Sequence, residues 1–138
     1  MKKLFIFLGL FLLSFMSFSQ SWKEYLSNKN LKIEYQYSNC NDDKNDIHQE
    51  KIFFRYTNLT ENTIEINESI SATYTNNGKE FQTKGDVPEL IITLKPGEVL
   101  EGHCLEKTRT LVLFSKMLNT EASELKEFTI TINNIKTK

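Results

Sequence analysis

SATYTNNGKEFQT, residues 71–83, sets Asn77-Gly78 between two segments of alternating character. Both residues tolerate the positive φ that a type I′ hairpin demands at its two central positions, so the stretch reads as two antiparallel strands joined by a tight turn. Upstream, TIEINESISATY extends the first arm: Ile64, Ile66, Ile70, Ala72 and Tyr74 recur on one side, and Asn67 to Ser69 do not break the period. Downstream, TLKPGEV holds a second turn, in which Pro96 presets φ at the second position and Gly97 supplies the positive φ that a type II turn needs at the third. That turn is expected to join a strand at Leu90–Leu94 to one at Val99–Cys104.

Farther out the period of two persists. LKIEYQY alternates Leu31, Ile33, Tyr35 and Tyr37 with Lys32, Glu34 and Gln36, the mark of a strand with one wet face. KIFFRYTNL carries Ile52, Phe54 and Tyr56 on one side and Phe53, Arg55 and Thr57 on the other, which predicts a central strand. RTLVLFS and KEFTITINNI supply two more. Two short helical turns are expected as well. Ser21 and Glu24 have capping-box spacing with Trp22, Tyr25 and Leu26 on one face, and Leu118, Ala122 and Leu125 recur at helical intervals. These leucines and aromatics read as plugs for the ends of a core, because buried aromatics dominate core energetics. The fold class predicted is all-β, with seven to eight strands in two antiparallel sheets packed face to face.

MKKLFIFLGLFLLSFMSFSQ, residues 1–20, has the three-part layout of a secretory signal peptide: Lys2 and Lys3, an apolar run from Leu4, and small residues at Ser17 and Ser19 before a cut at Gln20. The apolar stretch, ending near Phe18, is at or below the roughly 17 to 25 residues needed to span a bilayer. No cysteine follows it to accept a lipid. The organisation expected is therefore a signal peptide, 1–19, and a single β-sandwich domain, 20–138, secreted or periplasmic, with no membrane span after cleavage. A domain of this size can bury a core without help from a metal. Without residues 1–19 the net charge would be about −3, and the lysines are scattered, so the basic stripe that nucleic acid requires is missing. The excess of lysine over arginine and the many asparagines resemble bacterial chains from AT-rich genomes.

Export determines how the only two cysteines, Cys40 and Cys104, are read, because an oxidising compartment favours a disulfide between them. Closing so long a loop would stabilise the fold by about 4 kcal/mol in the chain-entropy model. The alternative is a periplasmic metal-handling or thiol-redox site built from Cys40, His48, His103 and Cys104. Its spacings do not match the usual paired-ligand patterns, and neighbours 103 and 104 on one strand would point to opposite faces. NCNDDKNDIHQE places Asn41, Asp43 and Asn45 at calcium-loop spacing, but Asp46 stands where glycine is required and Ile52 where the bidentate glutamate belongs. The stretch reads as a solvated acidic loop. NLT and NES match the glycosylation sequon, a chance pattern in most bacterial chains.

FRYTNLTENTIEI and LKPGEVLEGHC resemble the strand, polar corner and PGE turn of small secreted immunoglobulin-like or fibronectin-like β-sandwich proteins, and more distantly the bacterial proteinase-inhibitor branch of such sandwiches. The likeness spans most of residues 31–135 and implies an immunoglobulin-like sandwich. It departs from the antibody pattern in that the one tryptophan, Trp22, precedes both cysteines. Catalysis is not expected. There is no G-x-S-x-G elbow, a cysteine nucleophile would need both thiols reduced, and Glu61, Glu65 and Glu68 read as a solvated edge. The function expected is a non-catalytic, disulfide-stabilised interaction module. It would be monomeric and cofactor-free, binding a protein, peptide or glycan through loops such as Asn76–Lys79 or Asn41–Asp46.

Overall fold

The computed structural model describes residues 21–83, 90–108 and 110–138; the expected signal peptide, 1–19, lies outside them. Among the described residues there is no α-helix, and nine strands form two antiparallel sheets: β1 (Lys23–Ser27), β2 (Leu31–Asp42), β3 (Ile47–Asn58), β4 (Ile64–Asn76), β5 (Lys79–Thr83), β6 (Leu90–Leu94), β7 (Val99–Glu101), β8 (Val112–Met117) and β9 (Glu124–Thr137). The first sheet runs β1-β2-β3, and the far side of β3 is shared by β7 and β8. In the second, β4 is central, with β9 along one side and β5 and β6 along the other. Among the described residues no helix is long and apolar enough to cross a membrane.

The hairpin at residues 71–83 forms as its sequence predicts. Asn77 and Gly78 take φ of 48° and 75°, and Asn76 pairs with Lys79. Gly97, at φ 67°, completes the turn between β6 and β7, with Glu98 N–H donating to Lys95 O at 3.0 Å. Inward side chains of both sheets join one hydrophobic cluster: Leu31, Ile33, Ile52, Phe54 and Tyr56 from the first, Ile64, Ile66, Ile92, Leu94 and Ile130 from the second. Full burial of each such aliphatic or aromatic side chain stabilises by about 1.5–3 kcal/mol. Phe128 is the aromatic hinge of the contact, with its centroid 5.4 Å from the rings of both Phe54 and Tyr35 and 5.7 Å from Tyr25. The Tyr25 hydroxyl also accepts from Ile130 N–H at 2.8 Å and donates to Ile130 O at 3.3 Å, tying β1 to the backbone of β9.

Several expectations are corrected. Residues around Ser21–Leu26 are not helical; they enter β1, where a bulge between Glu24 and Leu26 lets consecutive Tyr25 and Leu26 both pack on the core. No helix forms at Leu118–Leu125, and β9 begins at Glu124. The strand expected at Val99–Cys104 stops at Glu101, so the argument from opposite faces does not apply to His103 and Cys104.

Candidate functional site

The distinctive surface feature is the excursion between β7 and β8, residues 102–111, of which Arg109 lies outside the described set. Both ends of this loop rest on one residue of β3: Gly102 N–H donates to Phe54 O at 3.0 Å, and Phe54 N–H donates to Leu111 O at 2.9 Å. The neck is so narrow that a Cβ on Gly102 would sit 2.0 Å from Leu111 O, which is why glycine stands there. Inside the loop, Glu106 N–H donates to His103 O at 2.9 Å, and the Glu106 carboxylate accepts from Lys107 N–H and Thr108 N–H, each at 2.9 Å. The hydrogen bonds from Thr108, then that from Lys107, hold this carboxyl below its ordinary value.

Cys104 ties the loop to the first sheet. Its bridge to Cys40 has Cα atoms 5.4 Å apart, and Lys51 Nζ donates to Cys104 O at 3.1 Å. Register puts Cys40, Gln36 and Glu34 of β2 opposite Gln49, Phe53 and Arg55 of β3. The alternation along both strands turns all six away from the core side chains Ile33, Ile52 and Phe54. The loop therefore folds over the outer face of the sheet, where Cys40 and Phe53 are buried. The bridge acts within one sheet and does not clasp the two together. At the tip, Leu105 stands 84% exposed, immediately beyond the anchored cysteine.

Beside the loop the same face carries an ionic chain. Arg55 donates to Glu34 Oε2 from Nε and Nη2, both at 2.9 Å, Lys32 Nζ lies 2.8 Å from Glu34 Oε1, and Glu101 is 3.8 Å from Arg55. Burial pushes the Glu34 carboxyl up, but Lys32 and Arg55 together outweigh it and hold the group below its ordinary value. Trp22 covers the guanidinium, with Arg55 Cζ 4.3 Å from its ring centre, a cation–π arrangement.

Of the four residues in the metal or thiol alternative, Cys40 and Cys104 bond to each other, while the histidines go elsewhere. His48 pairs with Asn41 and belongs to the opposite face from Cys40; its ring nitrogens lie 3.8 Å from Asp43 and 3.4 Å from Asp46. His103 lies 3.8 Å from Glu106. Among the described residues no group of three or more His, Cys, Asp or Glu is arranged to hold a metal ion. The acidic loop at residues 41–46 is consumed by turn chemistry: Asp42 accepts from Asn45 N–H and Nδ2 to cap a single 3-10 turn, and Asp46 closes it at φ 52°.

One residue contradicts the sequence expectation outright. Glu68, read as part of a solvated edge, has no solvent exposure, and its Oε1 accepts from the Tyr56 hydroxyl at 2.9 Å. The missed signal lay in the alternation of β4, where residues 64, 66, 70, 72 and 74 all face inward and residue 68 must follow. Comparisons of this chain with protein-family models, with curated proteins and with solved structures find no match.

Proposed function

We propose that this chain is an exported, non-catalytic interaction module that offers the loop at residues 102–111 to a protein, peptide or glycan in the cell envelope or outside the cell. The observation that carries the reading is the Cys40–Cys104 bridge, which holds a surface loop rigid and needs an oxidising compartment to persist. Binding residues are concentrated on loops positioned by a rigid scaffold, and a loop already ordered loses less entropy when it docks. The exposed Leu105 beside the anchored Cys104 gives such a loop an apolar contact point.

The scaffold is read as an immunoglobulin-like β-sandwich. Two consecutive strands, β3 and β4, are the centres of different sheets, and two later consecutive strands, β8 and β9, pair one with each. Crossed pairs of this kind, with a common core between the sheets, support a sandwich. Expressed with its full N-terminus in a bacterium, the protein should be recovered outside the cytoplasm, lacking residues 1–19 and two hydrogens lighter than its reduced form. Cytoplasmic protein with two free thiols would overturn the export reading. Binding is tested by screening cell-wall glycan fragments and an envelope-protein array with the wild type and with a variant whose residues 103 and 105–108 are replaced by Gly and Ser. Ligands lost only by the variant support the loop; equal binding by both, or none to any probe, overturns it.

A further inference from the structure

Along β4 the inward row reads Ile64, Ile66, Glu68, Ile70, Ala72 and Tyr74, so a carboxyl group takes one place in an otherwise apolar or aromatic series. Among the described residues Glu68 has one polar contact, the Tyr56 hydroxyl, and its buried Oε2 has no hydrogen-bond partner. The groups set against it are Tyr56 from β3, Ile132 across the pair on β9 and Leu90 across the pair on β6, with Tyr25 of β1 acting on Tyr56. Among the described residues no cation pairs with it. A second observation stands next to the first. The β4–β9 ladder is regular from Ile64 to Asn67, then slips at Glu68: Asn67 faces Asn134 and Glu68 faces Ile132, so Asn133 bulges from β9. A bulge interrupts ladder hydrogen bonds, and among the described residues β9 has β4 as its only ladder partner.

We propose that Glu68 and the Asn133 bulge together form a pH-responsive opening: with Glu68 protonated, β9 lies closed on β4, and loss of that proton parts the two strands at the bulge so that water reaches the carboxylate. The proton leaves to solvent and no other chemistry is involved. An ionised carboxylate without a cation or a full set of donors is strongly disfavoured in an apolar interior, and the bulge at Asn133 interrupts the ladder directly beside it. Burial pushes the Glu68 carboxyl up to about 7, the Tyr56 hydrogen bond offsetting only part of this, and burial likewise pushes the Tyr56 hydroxyl far up, so it remains a donor. The fold favours the neutral carboxyl. Its stabilisation is complete below the ordinary value of 4.5, is lost as pH rises to about 7, and changes little beyond. An exported domain, if the function proposed above holds, meets whatever pH surrounds the cell; the opening itself does not depend on that reading.

The test is hydrogen–deuterium exchange of the disulfide-bonded protein between pH 5.5 and 8.5, corrected for intrinsic exchange, on the wild type and on Glu68→Gln. Wild-type protection at residues 66–69 and 131–135 should fall roughly 30-fold across this interval, with a smaller change at residues 31–35, and the variant should show no such fall. The histidines His48 and His103 are common to both proteins and drop out of the difference. Equal pH profiles in the two proteins would overturn the proposal. Should Glu68→Gln not fold, the carboxyl carbon resonance of Glu68 in the wild type decides: a midpoint between 6 and 8 that coincides with the loss of protection supports the opening, and a midpoint near 4.5 overturns it.

Discussion

On its inner face the first sheet presents Leu31, Ile33, Ile52, Phe54 and Tyr56 with no solvent exposure, whereas its outer face, on the same two strands, carries Lys32, Glu34, Lys51 and Arg55 around a buried Cys40 and Phe53. The inner face needs no specific bond to stay dry, because its side chains share one hydrophobic cluster with those of the second sheet and apolar burial is non-directional. The outer face is covered by a loop around Cys40 and by Trp22 over Arg55. That loop must be placed residue by residue, through a glycine neck on Phe54, a disulfide to Cys40 and a lysine on Cys104 O. One strand thus carries two kinds of cohesion, one set by area and one set by address.

Removing the covalent part of the address should have the largest effect. Replacing Cys40 and Cys104 with alanine should destabilise the protein by about 4 kcal/mol, read as a lower denaturant midpoint. If the loop only decorates the sheet, the near-ultraviolet dichroism of the core aromatics should survive at low temperature. The counterpart on the inner face is Phe128→Ala, expected to cost about 3 kcal/mol, toward the low end for a phenylalanine because part of the ring is already wet. A loss much larger than that of the disulfide variant would mean that the contact between the sheets dominates. Gly102→Ala, which forces a methyl group against Leu111 O, should cost about 2 kcal/mol and loosen the loop while the disulfide stays intact, measured by faster proteolysis between residues 103 and 108.

The smallest effect belongs to the ionic chain. Arg55→Met should cost about 1 kcal/mol at neutral pH, since Arg55 and Glu34 are mostly shielded from water, and should shift Trp22 emission as the indole loses its guanidinium. Because Glu34 is held below its ordinary value, its contribution is present above about 4.5 and lost as pH falls further. The acid limb of a stability profile should therefore be shallower in Arg55→Met than in the wild type. Identical acid limbs would show that Lys32 alone holds the carboxylate.

The inner face was legible in the sequence and the outer face largely was not. Alternation in LKIEYQY and TIEINESISATY names most of the core residues, though Tyr37 at the end of the first row is exposed, and Asn77-Gly78 and Pro96-Gly97 name their turns, because each rests on interactions between near neighbours in the chain. Phe53 gave warning only as an apolar residue on the wrong side of its strand. Its neighbour in the sheet on that side, Val112 of β8, comes from far along the chain, and only the cysteine pair hinted at that return. The β1 segment misled for a related reason: Tyr25 and Leu26 are adjacent and both reach the core, which a helix would explain, and a bulge in fact provides it. Glu68 was misread because its charge was weighed above its position in the alternation. The charge was the real information, marking the one inward place on β4 where burial is uneasy.

The Tyr25 hydroxyl also guards a border. Fourteen residues long and, among the described residues, paired on one side only, β9 offers a row of backbone donors and acceptors on which another chain could add itself, the route by which sheet proteins polymerise into fibres. By engaging both N–H and C=O of Ile130, near the middle of that row, one phenol takes up a donor and an acceptor that an incoming strand would otherwise pair with. The residue that helps close the core from the β1 side thereby also makes this row a poorer template for a further strand.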